Sequence, residues 1–348
     1  MKFTYKIIIL SLAISSCIFA LSPTAVCIVG AGDLMLGTSF PDSSTLSPKP
    51  EKLLSRVSDH IREADAAFVN LEGCLMDSGG TPKDCWGKSK RCFIFRMPEH
   101  YVNYIQDAGF DAISLANNHA RDMGYEAYRR SQAVCDEAGL AHAGIFDAPS
   151  TIIERNGYLF GFAAFSPHWG TARIYEYEKV TKVISALEDT CDIVVVMFHG
   201  GGEGEEYTHT PKVQENYKGS NRGDVYKFSH VAIDAGADVV FGSGPHVTRA
   251  IELYKDRLIC YSLGNFCTYR KFNLSGPRGY APLMKVYTSP TGEFHYAHAI
   301  PIMQKWPGVP FIDEEKQAIK ALQTLTKEDF PEMDSVLVID DDGFINKR

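Results

Sequence analysis

The sequence has no Cys-x-x-Cys pair among its 9 cysteines, which removes the spacing on which thiolate zinc sites are built. Its glycine-rich stretches, GAGDLMLG and HGGGEGEE, lack the dinucleotide-binding spacing and its following helix, so no Rossmann site is read. Ser243 and Ser262 lack the G-x-S-x-G elbow of a nucleophilic serine. Positive charge is in short supply, with 35 Lys and Arg against 43 Asp and Glu and a net charge of −8. Nucleic-acid binding rests on clustered Lys and Arg, so nucleic acid is not an expected partner.

What remains is an ordinary globular composition: 348 residues, 45% hydrophobic, enough for a sizeable core. Residues 1–20, MKFTYKIIILSLAISSCIFA, carry two lysines, an apolar run and a small-residue end, the pattern of a secretory signal cleaved after Ala20. Ile-Ser-Ser-Cys17 also fits a loose lipoprotein box, and an uncleaved anchor is the third alternative. Each implies export to the periplasm, the cell surface or the medium, with membrane contact confined to the N-terminal segment. Eight cysteines follow the leader, an even number that permits disulfides in an exported chain. Cys74, Cys85 and Cys92 share one loop region and Cys260 and Cys267 flank SLGNF, which nominates pairings within each group and leaves connectivity open.

Along the chain, short apolar runs ended by polar residues alternate with segments of helical spacing, the rhythm of βαβ units around parallel or mixed sheets. Helices are expected over Lys52–Ala64, Pro98–Ala108, Tyr125–Ala138, Glu178–Glu188, Tyr226–Ala235 and Glu314–Leu325, and a hairpin is expected to turn at Asn156-Gly157. Residues 26–302 read as one domain and 303–348 as an accessory C-terminal segment. Two stretches echo each other: DAGFDAISLANNH from Asp107 and DAGADVVFGSGPH from Asp234. Each reads as a glycine-capped helix end feeding a buried strand and then a loop ending on histidine. Both loops are expected at the same edge of one sheet.

Ligands in open α/β sheets gather at the carboxyl ends of strands. There stand Asp33, then Asn70 and Glu72 in VNLEG, Asn117, Asn118 and His119 in LANNH, His199 in MFHGGG and His246 in GSGPH. Carboxylate, amide oxygen and imidazole together suit manganese, zinc or iron(II), with Glu72 able to bridge two ions. Such a site polarises a phosphoryl or acyl oxygen and lowers the pKa of a bound water. Singly, each residue has a structural explanation: a turn cap, a surface acid or a hydrogen-bonded histidine. Five strand ends carrying metal-type donors together favour the collective reading. Arg96 and Arg121 are candidates for a substrate anion, with surface ion pairing as the alternative. His168, His209, His295 and His298 are expected on loops or half-buried strands.

GDLMLG, VNLEG, FRMPEHYVNYIQDAGFDAISLANNHARDMG, FHGGGEGEEY and IDAGADVVFGSGPHV followed by YSLGNF resemble the CapA family of poly-γ-glutamate capsule biosynthesis over Ala25 to Ile302. That family is similar to calcineurin-like metallophosphoesterases, and the resemblance implies an α/β fold of the αββα sandwich type with mixed central sheets. It implies Asp33, Glu72, Asn118, His199 and His246 as ligands of one or two divalent ions and His119 as the acid beside them. It places Asn70 and Asn117 behind the ligands. Met35, Glu72 and Ser243 depart from the two-metal pattern of the wider superfamily, and Met35 and Glu72 are usual for the CapA group. A metal-dependent hydrolase acting on an anionic polymer or a phosphorylated small molecule is the leading expectation. A non-catalytic polymer-binding or assembly component is its rival, and a secreted nucleotide phosphoesterase ranks third.

Overall fold

The computed structural model describes residues 25–84 and 92–348; the leader reading of residues 1–20, Cys17 and Cys85 lie outside them. Runs such as IVVVMFH become strands buried along their whole length, as β-branched segments covered on both faces do. In the ten-stranded first sheet, Val26–Met35, Ala66–Leu71, Ala112–Ser114 and Ala141–Ala143 run parallel in that order. Antiparallel Tyr280–Thr288 and Phe294–Lys305 continue from the other side of Val26–Met35. In the six-stranded second sheet, Tyr158–Phe165, Ile193–His199, Val239–Ser243 and Arg257–Cys260 are parallel. Antiparallel Ser150–Arg155 and Ile251–Tyr254 form its edges.

The sheets share one core, with Phe68 of the first against Phe162 of the second at 5.0 Å between ring centroids. Helices Tyr101–Ala108 and Gly124–Ala138 bury Val102, Ile105 and Val134 on the outer face of the first sheet. Helices Tyr177–Glu188 and Val225–Asp234 bury Ile184, Leu187 and Phe228 against the second. The layers are therefore helix, sheet, sheet, helix: an αββα sandwich, as the resemblance implies. Among the described residues no helix is long and apolar enough to cross a membrane.

Four readings change. The echoed segments feed different sheets, because LANNH follows Ala112–Ser114 and GPH follows Val239–Ser243. Stacking with both sets of carboxyl ends aligned brings their loops together. The boundary at Ile302 falls inside strand Phe294–Lys305, and residues 303–348 add strands Val309–Ile312 and Phe344–Lys347 to it. The spacing in Lys52–Ala64 is realised as turns plus a short helix, Ser58–Arg62, which still buries Leu53, Leu54, Val57 and Ile61. Cys92 is disulfide-bonded, whereas Cys74, Cys260 and Cys267 are free. Cys260 ends a strand of the second sheet and Cys267 lies in one of the first, which separates them.

Candidate metal centre

Asp33 stands near the end of strand Val26–Met35, fully buried. Gly32 before it is required by close approach: a Cβ there would lie 2.0 Å from the Gly264 carbonyl oxygen. Without one, the Asp33 amide donates to that oxygen at 2.9 Å, joining GAGD to SLGNF. Asn70 Nδ2 donates to Asp33 Oδ1 at 2.8 Å, and Asn117 Nδ2 donates to Asn70 Oδ1 at 3.1 Å and to the Leu71 carbonyl at 2.8 Å. The two asparagines thus fix the carboxylate from behind.

Across the sheet interface, His246 places Nδ1 2.9 Å from Asp33 Oδ2 and Nε2 3.6 Å from Glu72 Oε1. Its φ of +59° lies in the left-handed region, uncommon for a residue with a side chain. His199 Nδ1 lies 3.2 Å from Ser243 Oγ and 3.4 Å from Asp33 Oδ1. Ligand atoms of Asp33, Glu72 and His246 fall within 4.8 Å of one another.

Four buried atoms here lack a hydrogen-bond partner: Glu72 Oε1 and Oε2, Asn118 Oδ1 and His199 Nε2. Native interiors leave few such groups, and each costs about 1–3 kcal/mol. Oxygen and imidazole donors left open in one buried place match a divalent cation of the manganese, zinc or iron type. Burial disfavours the Asp33 anion, yet hydrogen bonds from His199 and His246 outweigh it and hold its carboxyl well below the usual range. Burial, reinforced by the Asp33 and Glu203 charges, raises Glu72 well above its usual value. Burial alone would favour neutral His246, but Glu72 and Asp33 raise it to about 10. Both shifts favour the protonated forms of Glu72 and His246, whereas ligation of a cation would favour the deprotonated ones.

His119 is held differently. Its Nδ1 lies 2.6 Å from Asp122 Oδ2, its ring stacks on Phe95 at 4.2 Å, and its Nε2 lies 3.8 Å from Glu72 Oε1. Asp122 also accepts from the Phe95 amide at 2.7 Å and pairs with Lys83 at 2.5 Å. Nδ1 is engaged and Nε2 faces the cluster, the arrangement proton transfer needs. Arg96 is not brought into the cluster: its Nε and Nη2 donate to Ser39 at 3.1 and 3.2 Å.

Three residues escaped the sequence reading. Asp122 stands three positions after His119, a His-x-x-Asp spacing that could have signalled the pair. His168, expected on a loop or half-buried strand with no part in the site, lies with its ring 6.0 Å from His199 and its Nε2 buried without a partner. Arg222 is buried, donates to the Gly201 carbonyl and Glu203 at 2.8 Å each, and so ties down the loop after His199. Nothing in its own sequence neighbourhood marks it.

The family model described as bacterial capsule synthesis protein PGA_cap matches residues 27–270. The chain belongs to this family. It is 26% identical to the capsule biosynthesis protein CapA of Bacillus anthracis over 254 residues, covering 68% of this chain and 58% of that one. Against the PGA biosynthesis protein CapA of Bacillus subtilis (strain 168) the identity is again 26%, over 252 residues, covering 68% and 61%. The chain thus spans less than two thirds of the length of these relatives. Among solved structures it is similar to a hypothetical protein from Thermus thermophilus, at 13% identity and a TM-score of 0.49, covering 80% of this chain and 100% of that one. A putative 5'-nucleotidase from Staphylococcus aureus gives 16% identity and a TM-score of 0.48, covering 90% and 59%.

Proposed function

We propose that this PGA_cap chain is an exported hydrolase of capsular or cell-surface polymer metabolism. In this reading Asp33, Glu72, Asn118, His199 and His246 hold one or two divalent ions, manganese, zinc or iron. The carrying observation is the set of unpartnered buried donors, Glu72, Asn118 and His199, gathered beside the Asp33–His246 pair. Such an ion supplies a Lewis acid toward a phosphoryl or acyl oxygen and a bound water of lowered pKa. The chain does the rest: Asn70 and Asn117 orient Asp33, Asp122 holds the His119 ring, and His119 Nε2 protonates the leaving group of a phosphoester or amide bond. The substrate class is an anionic polymer or a phosphorylated small molecule, in keeping with relatives named for capsule and PGA biosynthesis. Export rests on the composition of residues 1–20, and mature protein is expected to begin near Leu21, or at Cys17 if lipidated; an intact Met1 on membrane-embedded protein would instead favour an anchor.

Metal content of purified variants tests the centre. Glu72→Ala is expected to lose bound metal, whereas Glu205→Ala, exposed in the neighbouring acidic loop, keeps it; equal content in both would remove Glu72 from the site. Phosphoester and γ-glutamyl substrates assayed with Mn, Zn and Fe(II) test the reaction. A second reading, a polymer-binding component without turnover, is favoured by Met35 and Ser243. Met35 Sδ accepts from the Gly37 amide and Ser243 Oγ bonds His199, where the superfamily pattern has two further imidazoles. Stoichiometric metal without turnover on any substrate would support it.

A further inference from the structure

A cavity of about 360 Å³ shares no residue with the candidate metal cluster. Arg121 lines it two positions after His119, and Trp169 lines it one position after His168. Arg121 lies over the Trp169 indole, 3.7 Å from the ring centroid, and its Nε is buried without a hydrogen-bond partner. Arg173 on the same wall donates to the Pro167 carbonyl at 2.6 Å and to the Tyr175 hydroxyl. Among the described residues no carboxylate pairs with either guanidinium. Glu176, the one acid of the lining, is paired with Lys179 at 2.7 Å. The wall therefore carries two uncompensated cations. Its rim is aromatic: Trp169 is 70% exposed, Phe146 57% and Tyr125 47%. Guanidinium groups match the oxygens of carboxylates and phosphates, and exposed aromatic faces match hydrocarbon or planar groups.

We propose that this cavity binds an oxyanion, carboxylate or phosphate, carried on a hydrocarbon or planar body. The acid group sits against Arg121 and Arg173, and the body lies on Trp169 and Phe146. Because no lining residue belongs to the metal cluster, binding does not depend on the metal reading.

Calorimetric titration and tryptophan emission, with a short glutamate oligomer, phenyl phosphate and inorganic phosphate as probes, test it. At least one of the two body-bearing anions is expected to bind parent protein and Glu72→Ala alike, and more tightly than inorganic phosphate. Preference between the oligomer and phenyl phosphate tells the carboxylate source from the phosphate source. Arg121→Gln and Arg173→Gln should each weaken binding about tenfold, the scale of one lost charge-assisted hydrogen bond. Arg121→Lys should weaken it less, and Trp169→Leu should abolish the emission change. Absence of binding to folded parent protein overturns the proposal. So does binding that Glu72→Ala abolishes and Arg121→Gln leaves intact, since that places the anion at the cluster.

Discussion

At the residue scale, His119 and His246 show how the same offset from Asp-Ala-Gly yields two roles. His246 adopts a left-handed backbone and turns its two ring nitrogens toward Asp33 and Glu72, which makes it a candidate ligand itself. His119 has one nitrogen fixed by Asp122 and the other facing Glu72, so it can exchange a proton without being a ligand. His119→Ala is therefore expected to keep its metal and lose about 10²–10⁴-fold in turnover, the usual worth of a general acid. His246→Ala should lose metal and turnover together. Metal analysis and steady-state rates on both variants check this, and metal lost from His119→Ala but kept by His246→Ala would reverse the roles. The strand-end residues were legible because each lies where a buried parallel strand must end in a polar loop. His168 and Arg222 were not, because their importance comes from partners supplied by other elements, whereas Asp122 was signalled only by its spacing of three from His119.

At the element scale, local signals carried well where one segment decides its own conformation. The hairpin turns at Asn156-Gly157 with φ of +52° and +84°, as a two-residue turn with both central φ positive requires. Helix Tyr101–Ala108 ends at Gly109 in the left-handed conformation. In Lys52–Ala64, by contrast, the apolar spacing marked the buried face correctly but not a continuous helix, because successive turns can present the same residues. Gly32 is where an element and the site meet. A Cβ there would strike the Gly264 and Leu263 carbonyl oxygens at 2.0 and 2.6 Å, and backbone cannot swing aside as a side chain can. Gly32→Ala is expected to cost at least the about 1–3 kcal/mol of overpacking and to weaken metal binding by displacing Asp33. Urea unfolding and metal content measure both, and an unchanged midpoint would show that the SLGNF segment yields.

At the scale of the whole molecule, the C-terminal segment shows what pattern reading could not supply, since a strand does not announce its partner in its own residues. Phe344–Lys347 pairs with residues 296–298 of the first sheet. Helix Gln317–Asp329 covers the edge strand Ile251–Tyr254 of the second, with the Ile251 amide donating to Thr326 Oγ1 at 3.1 Å. Phe330, fully buried, stacks on Tyr261 at 5.2 Å, immediately before the SLGNF segment that supports Asp33. The segment thus clasps both sheets and closes an exposed edge, a common hazard of open β-structure. Ile319, Leu322, Phe330, Leu337 and Ile345 are buried in it. At about 1.5–3 kcal/mol for each such side chain, their sum is comparable with the about 5–15 kcal/mol net stability of a typical domain. A chain ended at Ile302 is therefore expected to lose cooperative unfolding and metal retention together, despite keeping every candidate ligand. Phe330→Ala is the finer probe: it removes one aromatic from the contact and should cost about 3–5 kcal/mol while leaving all ligands in place. Circular dichroism during thermal and urea unfolding reads both. A truncated chain that still unfolds cooperatively with its metal bound would make residues 303–348 an appendage after all.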